Sequence, residues 1–214
     1  MIFNIIAGIW ITLGLTLGFA MPPAENLVAT PLAFLHIPMA FGMEMALFGA
    51  AIYGGLWLKR RRSGDDAMSL ALAETGFVFG IIATITGSLW AKLNWGAYWN
   101  WDPQQTGIVA TLLTYAALFA LRSAADDEEK ARDLWAVYAI FGFVAAVFWT
   151  FIFRRLIGSL HPEETTRTSS GIFKFALWFN IFGYTFLMVR IAQLRARLER
   201  ASRRLKEITW NSSI

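Results

Sequence analysis

The chain has 214 residues, of which 57% are hydrophobic and only 16% charged, with a formal net charge of +4. A soluble domain of this length needs more polar surface. The absence of cysteine excludes thiol chemistry, disulfides and iron–sulfur ligation within this chain. Several continuous apolar runs approach the roughly 20 residues that cross a hydrocarbon core. The composition therefore predicts an all-α integral membrane protein, because continuous rather than alternating runs are typical of helical spans.

Six apolar segments predict a bundle of six transmembrane helices in a single domain, residues 1–214. They are Ile2–Ala20, Leu32–Leu58, Met68–Trp90, Gln104–Leu121, Leu134–Phe153 and Ile172–Val189. No Lys or Arg precedes the first segment, so we expect a retained span rather than a cleaved signal. The second segment is longer than a span requires. We expect its membrane portion to begin near Pro38, since proline is tolerated in the first turn of a helix.

Lys and Arg residues divide unequally between the two sets of alternate connections. Fourteen fall in the set that includes the C-terminal region and five in the other. The positive-inside rule predicts that the first set is cytoplasmic, which places both termini inside. The basic cytoplasmic tail, residues 193–214, has apolar residues at helical spacing, and we expect it to extend the last span along anionic headgroups. Because the membrane accounts for this charge, we do not expect nucleic-acid binding.

The predicted outer loop, residues 91–106, contains the run Trp95-Gly-Ala-Tyr-Trp99-Asn-Trp101-Asp102-Pro103-Gln-Gln-Thr106. Indoles are enriched at membrane interfaces, so an ordinary aromatic belt is the simpler interpretation. Here the aromatic residues are clustered in one loop that ends in a carboxylate, which favours a platform for a large planar ligand. Asp102 before Pro103 is also typical of a helix N-cap, an alternative and purely structural role for this aspartate.

Two histidines, His36 and His161, are predicted on the same outer side as the tryptophan loop. Imidazole is the usual protein ligand of haem iron, and two imidazoles can hold it from opposite faces. Cations that could contact the two haem propionates are predicted on this side as well, namely Arg154, Arg155, Lys92 and Arg167. The simpler alternatives are surface or capping histidines and arginines that extend to lipid headgroups.

Two carboxylates lie within predicted spans, where charged groups are costly and therefore functional candidates. Glu44 follows His36 by nearly two helical turns, so both side chains are expected on one face, with Glu44 in a polar cavity beneath the histidine. Glu74 lies nearer the cytoplasmic end, where an interfacial role is the simplest interpretation. The third segment also carries a small-residue face, which predicts close helix packing in lipid. This face consists of Gly76, Gly80, Ala83, Thr84 and Gly87.

Together these features resemble the CcmC family of haem-handling proteins in cytochrome c maturation. The resemblance rests on Trp95-Gly-x-x-Trp99-x-Trp101-Asp102-x-x-x-Thr106, with one outward histidine before this motif and one after it. The segment Leu35-His36-Ile37-Pro38-Met39-Ala40 is similar to the family's first histidine segment. The resemblance covers about residues 30–190, and six spans in a chain of this length favour this branch.

The resemblance implies a protein without catalytic turnover that binds haem b non-covalently and transiently at the outer face of the cytoplasmic (inner) membrane. It would pass haem to a CcmE-like haem chaperone, beside a CcmD-like small subunit and a CcmA/CcmB-like ABC transporter. By matching positions, His36 and His161 would be the axial ligands of haem iron, and Asp102 would position the loop or contact the chaperone. The implied haem platform consists of Trp95, Trp99 and Trp101.

Three other functions stay open from the sequence. Trp101-Asp102-Pro103-Gln-Gln-Thr106 is closer to the CcsA-type cytochrome c synthase subunit, a branch that usually has more spans. A transporter of another substrate would use Glu44 as a proton-coupled residue, but it predicts a polar pathway through the spans, whereas the polar residues cluster outside. In a purely structural subunit the two histidines would be incidental.

Overall fold

A computed structural model of the protein describes residues 2–20, 30–161 and 170–212. Throughout these residues the regular structure is helical. The helices are α1 (Ile2–Ala20), α2 (Thr30–Arg60), α3 (Ser63–Trp95), α4 (Pro103–Ser123), α5 (Glu128–Val147), a π-helical turn (Phe148–Ile152), α6 (Phe153–Ile157) and α7 (Gly171–Ser212). Counting α5 to α6 as one continuous stretch, six are long and apolar enough to cross a membrane. The predicted all-α architecture with six spans is confirmed.

The centre of the bundle is the pair α2 and α3, against which α5 and α7 also pack. Small residues permit this close approach. A Cβ atom added to Gly76 would lie 3.0 Å from Cβ of Ala46, and one added to Gly80 would lie 2.7 Å from Sδ of Met43. The predicted small-residue face of the third span is therefore a packing surface. Large apolar side chains are abundant on the outside, as expected of lipid-facing helices.

Two predicted boundaries are wrong. Helix α2 begins at Thr30 and runs through Pro38, which is buried inside it, instead of beginning near that proline. Proline cannot donate a backbone hydrogen bond here, but spanning helices tolerate proline where neighbouring helices surround it. Helix α3 continues to Trp95 and ends because Gly96 takes a left-handed conformation with φ of 83°. The loop predicted from residue 91 is therefore shorter and begins at Gly96.

The end of the bundle opposite the tryptophan loop, here called the arginine end, is built around the buried carboxylate of Asp66. Arg122 donates to both of its oxygens at 2.7 and 2.9 Å, and a guanidinium nitrogen of Arg203 lies 2.8 Å from Oδ2. Arg195 pairs with Glu74 at 2.8 Å. The tail continues α7 beyond the last span, as predicted, and it pairs with carboxylates of α3. That it follows lipid headgroups stays a prediction.

Candidate functional site

His36 lies on α2 and is held by the backbone of α3. Its Nδ1 atom is 3.0 Å from the carbonyl oxygen of Ala83. Because a carbonyl only accepts hydrogen bonds, Nδ1 must carry the proton, and in the neutral ring Nε2 keeps a lone pair. The hydroxyl of Thr86 is 3.4 Å from the same Nδ1. The orientation of this imidazole is therefore set by the adjacent helix.

The imidazole of His36 occupies space left by the missing side chain of Gly87. A Cβ atom added to Gly87 would lie 2.7 Å from Cε1 and 3.1 Å from Nδ1 of the ring. Such distances are far below ordinary van der Waals contact, so any larger residue would displace the ring. The glycine that the sequence analysis assigned to packing thus also fixes the position of a candidate ligand.

His161 follows α6 in a turn, where Gly158 adopts a φ of 81°. Its Nδ1 donates to Oδ1 of Asp102 at 2.9 Å. The same buried carboxylate accepts the backbone N–H of Leu160 at 2.7 Å and the Ser159 hydroxyl at 2.9 Å through Oδ2. Asp102 therefore connects the tryptophan loop to the segment that carries His161. A carboxylate on Nδ1 fixes the ring and leaves Nε2 for a metal, as in many metal sites.

Asp102 also has the structural role that the sequence left open. Its Oδ1 accepts the backbone N–H of Gln104 at 2.9 Å, and Pro103 is the first residue of α4. The predicted N-cap is confirmed. One carboxylate therefore caps α4 and also holds the His161 imidazole.

Burial and hydrogen bonding set the charge of this pair. Burial raises the pKa of Asp102, but the donors Leu160 N–H and Ser159 Oγ, with His161, outweigh it and place that pKa below its usual range. For His161, burial lowers the pKa and outweighs the opposing effect of Asp102. The pair at neutral pH is thus an ionised carboxylate and a neutral imidazole, the form that binds metals.

By their ring contacts, the tryptophans of this region fall into two groups. The ring centroid of Trp95 is 4.9 Å from that of His161, and Trp90 stacks on the same imidazole at 6.3 Å. Trp99 and Trp101 contact each other, with centroids 5.9 Å apart. Trp101 is 79% exposed and has a φ of 54°, which few non-glycine residues adopt. Indoles therefore surround one histidine, while a second indole pair faces outward.

Both histidines lie along the same part of α3. His36 contacts α3 at Ala83 and Gly87, and His161 stacks on Trp90, about one helical turn further along. The described residues provide no hydrogen-bond partner for Nε2 of His36 or of His161. Within the described part of the chain, two imidazole nitrogens at one end of the bundle thus have no hydrogen-bond partner, which fits the donor set that haem iron uses.

The predicted cations are placed less uniformly. Arg154 is half-buried and close enough to His161 for electrostatic interaction, and its Nε has no partner among the described residues. Arg155 is exposed. Lys92 donates to the carbonyl oxygen of Gly96 at 2.9 Å, so it stabilises the loop. Arg167 lies outside the described residues.

Glu44 lies on α2, and neither of its carboxylate oxygens has a hydrogen-bond partner among the described residues. The hydroxyl of Thr150 donates to the carbonyl oxygen of Ala146 at 2.8 Å. Thr150 belongs to the π-helical turn, an irregularity that often marks functional sites. The polar cavity predicted around Glu44 stays a prediction. A cavity of about 560 Å³ lies at the arginine end, bordered by Arg122, Arg132 and Arg203.

Sequence reasoning missed Trp90 and Ser159. Trp90 was assigned only as the end of the third segment, although it lies little more than one turn before Trp95. Ser159 precedes His161 by two residues, a spacing at which hydroxyl side chains commonly bond the backbone. Ser159 Oγ does accept the N–H of His161, at 3.1 Å. The hydrogen bond from His36 to the carbonyl of Ala83 involves a backbone group, so no residue type in the sequence indicates it.

These features define a multi-pass helical membrane protein that presents two oriented histidines beside a tryptophan loop. The family model "Heme exporter protein C" matches residues 1–211, and the chain belongs to that family. The synthase alternative is not favoured by this match.

Curated relatives agree along most of their length. A heme exporter protein C of Paracoccus denitrificans is 29% identical over 90% of this chain and 82% of its own. That of Rhodobacter capsulatus is 30% identical over 91% and 84%, and that of Escherichia coli K12 is 28% identical over 87% and 78%.

Proposed function

We propose that the protein binds haem between His36 and His161 and releases it to a membrane-anchored haem chaperone for cytochrome c maturation. The observation that carries this proposal is the pair of imidazoles with Nδ1 anchored and Nε2 available, at one end of the bundle. The family to which the chain belongs is named for heme export, and this is consistent with haem as the cargo.

In this proposal haem is cargo, held non-covalently as haem b, and not a resident catalyst. His36 and His161 ligate its iron, and Arg154 contacts a propionate. Trp95 supports the His161 imidazole, while the outward pair of Trp99 and Trp101 provides an apolar surface at the opening. One proposed ligand of the iron, His36, lies on a packed helix, and the other, His161, lies in a turn. Release of haem can therefore begin with His161, without a change in the helix bundle.

The tryptophan loop faces the periplasm and the arginine end the cytoplasm, in the cytoplasmic (inner) membrane. The excess of Lys and Arg in the connections at the arginine end supports this orientation. The partners are a CcmE-like haem chaperone at the outer face, a CcmD-like small subunit and a CcmA/CcmB-like ABC transporter. We propose no catalytic turnover, since binding and release of haem break no covalent bond.

The proposal is tested by an absorption spectrum of the full chain in detergent, oxidised and then reduced, after expression with haem precursor. We expect a Soret band and resolved bands on reduction, typical of iron with two nitrogen ligands. A haem-free protein that also fails to take up added haem, alone and with a chaperone-like partner, would contradict the proposal. Release is followed as loss of the Soret band on mixing with the haem-free chaperone, with bovine serum albumin as the control acceptor.

A further inference from the structure

The part of α7 beyond the membrane carries an apolar stripe with the spacing of a coiled coil. Arg190 is the first charged residue after Lys174, so a span that starts near Ile172 ends close to Arg190. The helix nevertheless continues to Ser212, about 30 Å further. Apolar residues in this part recur at alternating intervals of three and four residues. The stripe consists of Ile191, Leu194, Leu198, Ala201, Leu205 and Ile208.

The opposite face of this helix is fixed to the bundle. Ala192 and Ala196 are buried, and Arg203 is bonded to Asp66. In the heptad set by the stripe, Ala196 and Arg203 occupy the position farthest from the seam. The stripe therefore points away from the bundle, and the ion pair with Asp66 stabilises it in that direction.

The part of the stripe from Leu198 onward is exposed, and the membrane surface is too far away to cover it. Leu198, Leu205 and Ile208 are 66%, 65% and 64% exposed. Leu205 lies about 22 Å along the helix from Arg190, whereas interfacial helices are buried about 5–10 Å into the headgroup boundary. Because α7 continues the axis of the last span, these side chains extend away from the bilayer. Contiguous apolar surface in water indicates an interaction site.

Charge at the seam selects the kind of partner. The positions that flank one side of the stripe are Arg190, Arg197 and Arg204, and those on the other side are Arg195, Ser202 and Thr209. Arg197 and Arg204 are exposed. A second copy of this helix, parallel or antiparallel, would offer no acidic residue to these arginines. An acidic helix would, and such flanking ion pairs determine partner choice in coiled coils.

We propose that residues 191–208 form a docking site for an amphipathic helix of a partner protein whose apolar seam is flanked by acidic residues. The interaction is independent of haem binding, since the stripe lies at the end of the bundle opposite the two histidines. It places a protein contact on the face predicted to be cytoplasmic.

The test uses the full chain in nanodiscs of zwitterionic phosphatidylcholine and two fluorescein-labelled peptides. Both peptides have three heptads with Leu at the seam, flanked in one by Glu and in the other by Lys. Fluorescence anisotropy should show binding of the Glu peptide only. Replacing Leu198 and Leu205 together by Ser should weaken that binding at least about tenfold. Exchanging Arg197→Glu and Arg204→Glu together should reverse the preference to the Lys peptide.

The matched control is Lys206→Ser, next to Leu205 in sequence but on the side toward the bundle, which should change binding less than about twofold. Circular dichroism of each variant establishes that the helix is retained. Binding of neither peptide, equal binding of both, or full binding by the serine double variant would overturn the proposal. So would a dimer of the wild-type chain that the serine double variant converts to a monomer, or displacement of the peptide by anionic vesicles.

Discussion

His36 and His161 are anchored by different means. His36 lies within a continuous helix, and its Nδ1 bonds to a backbone carbonyl of the neighbouring helix. His161 lies in a turn, and its Nδ1 bonds to the side chain of Asp102, which also holds Leu160 and Ser159. The first imidazole is positioned by the packing of two helices, while the second is positioned by the ionised side chain of Asp102 and by contacts with Trp90 and Trp95.

This difference suggests a division of labour in haem handling. A ligand on packed helices keeps its place when haem leaves, because moving it requires α2 and α3 to separate. A ligand on a turn can move when the hydrogen bonds to Asp102 change. We therefore expect His36 to retain haem during hand-over and His161 to be the ligand that is released first.

The largest effect should come from removing either imidazole. Loss of an outer-shell partner alone costs about 10–100-fold in metal affinity, so His36→Ala and His161→Ala should each lower haem affinity by at least about 100-fold. Titration of haem into the purified variants, followed at the Soret band, measures this. Added imidazole should restore part of the binding, since it can occupy the space left by the ring. Unchanged haem content in both variants would remove the ligand assignment.

A smaller effect is expected when His161 is kept and its anchor is weakened. Asp102→Asn preserves a good N-cap for α4 but removes the carboxylate charge and one acceptor oxygen, so haem affinity should fall about 10–100-fold. The matched control is Asp127→Asn, since Asp127 caps α5 at 2.7 Å from the Lys130 N–H, away from the histidines. Haem titration of both variants measures whether Asp102 contributes to haem affinity beyond its role as a helix cap. Equal affinities would show that Asp102 is only a cap.

The sequence predicted the local features of this site better than the contacts between separate helices. Continuous apolar runs locate the six spans, and Asp102 before Pro103 indicates the N-cap, because both signals are local. The carbonyl of Ala83 and the pairing of Arg203 with Asp66 depend on how separate helices are aligned, which no local pattern specifies. The same reason applies to Trp90, whose contact with His161 requires the folded turn after α6.

The anchor of His36 is a backbone carbonyl, which a side-chain substitution cannot remove. The space that the His36 ring occupies beside Gly87 can be filled instead. Gly87→Ala places a methyl group against the ring, and since overpacking costs about 1–3 kcal/mol, we expect haem affinity to fall about tenfold. Gly55→Ala on α2 is the control, because a Cβ there meets nothing within 4 Å. Both variants are compared by haem titration and by thermal unfolding. A Gly87→Ala variant with wild-type affinity would show that the ring is free to shift without loss of ligation.

The smallest expected losses of haem affinity come from replacing residues of the two tryptophan groups. Trp95 contacts the His161 imidazole directly, whereas Trp101 is 79% exposed and pairs only with Trp99 among the rings that the structure describes. Aromatic pairs contribute about 0.5–1.5 kcal/mol, which corresponds to a change in affinity of about two- to tenfold. We therefore expect Trp95→Ala to lower haem affinity by up to about tenfold. Trp99→Ala and Trp101→Ala should each lower it by about two- to threefold. Haem titration distinguishes these values, and transfer to the chaperone provides a second readout. If Trp101→Ala weakens retention more than Trp95→Ala, the outward pair is the principal haem surface, and the support that Trp95 gives His161 is secondary.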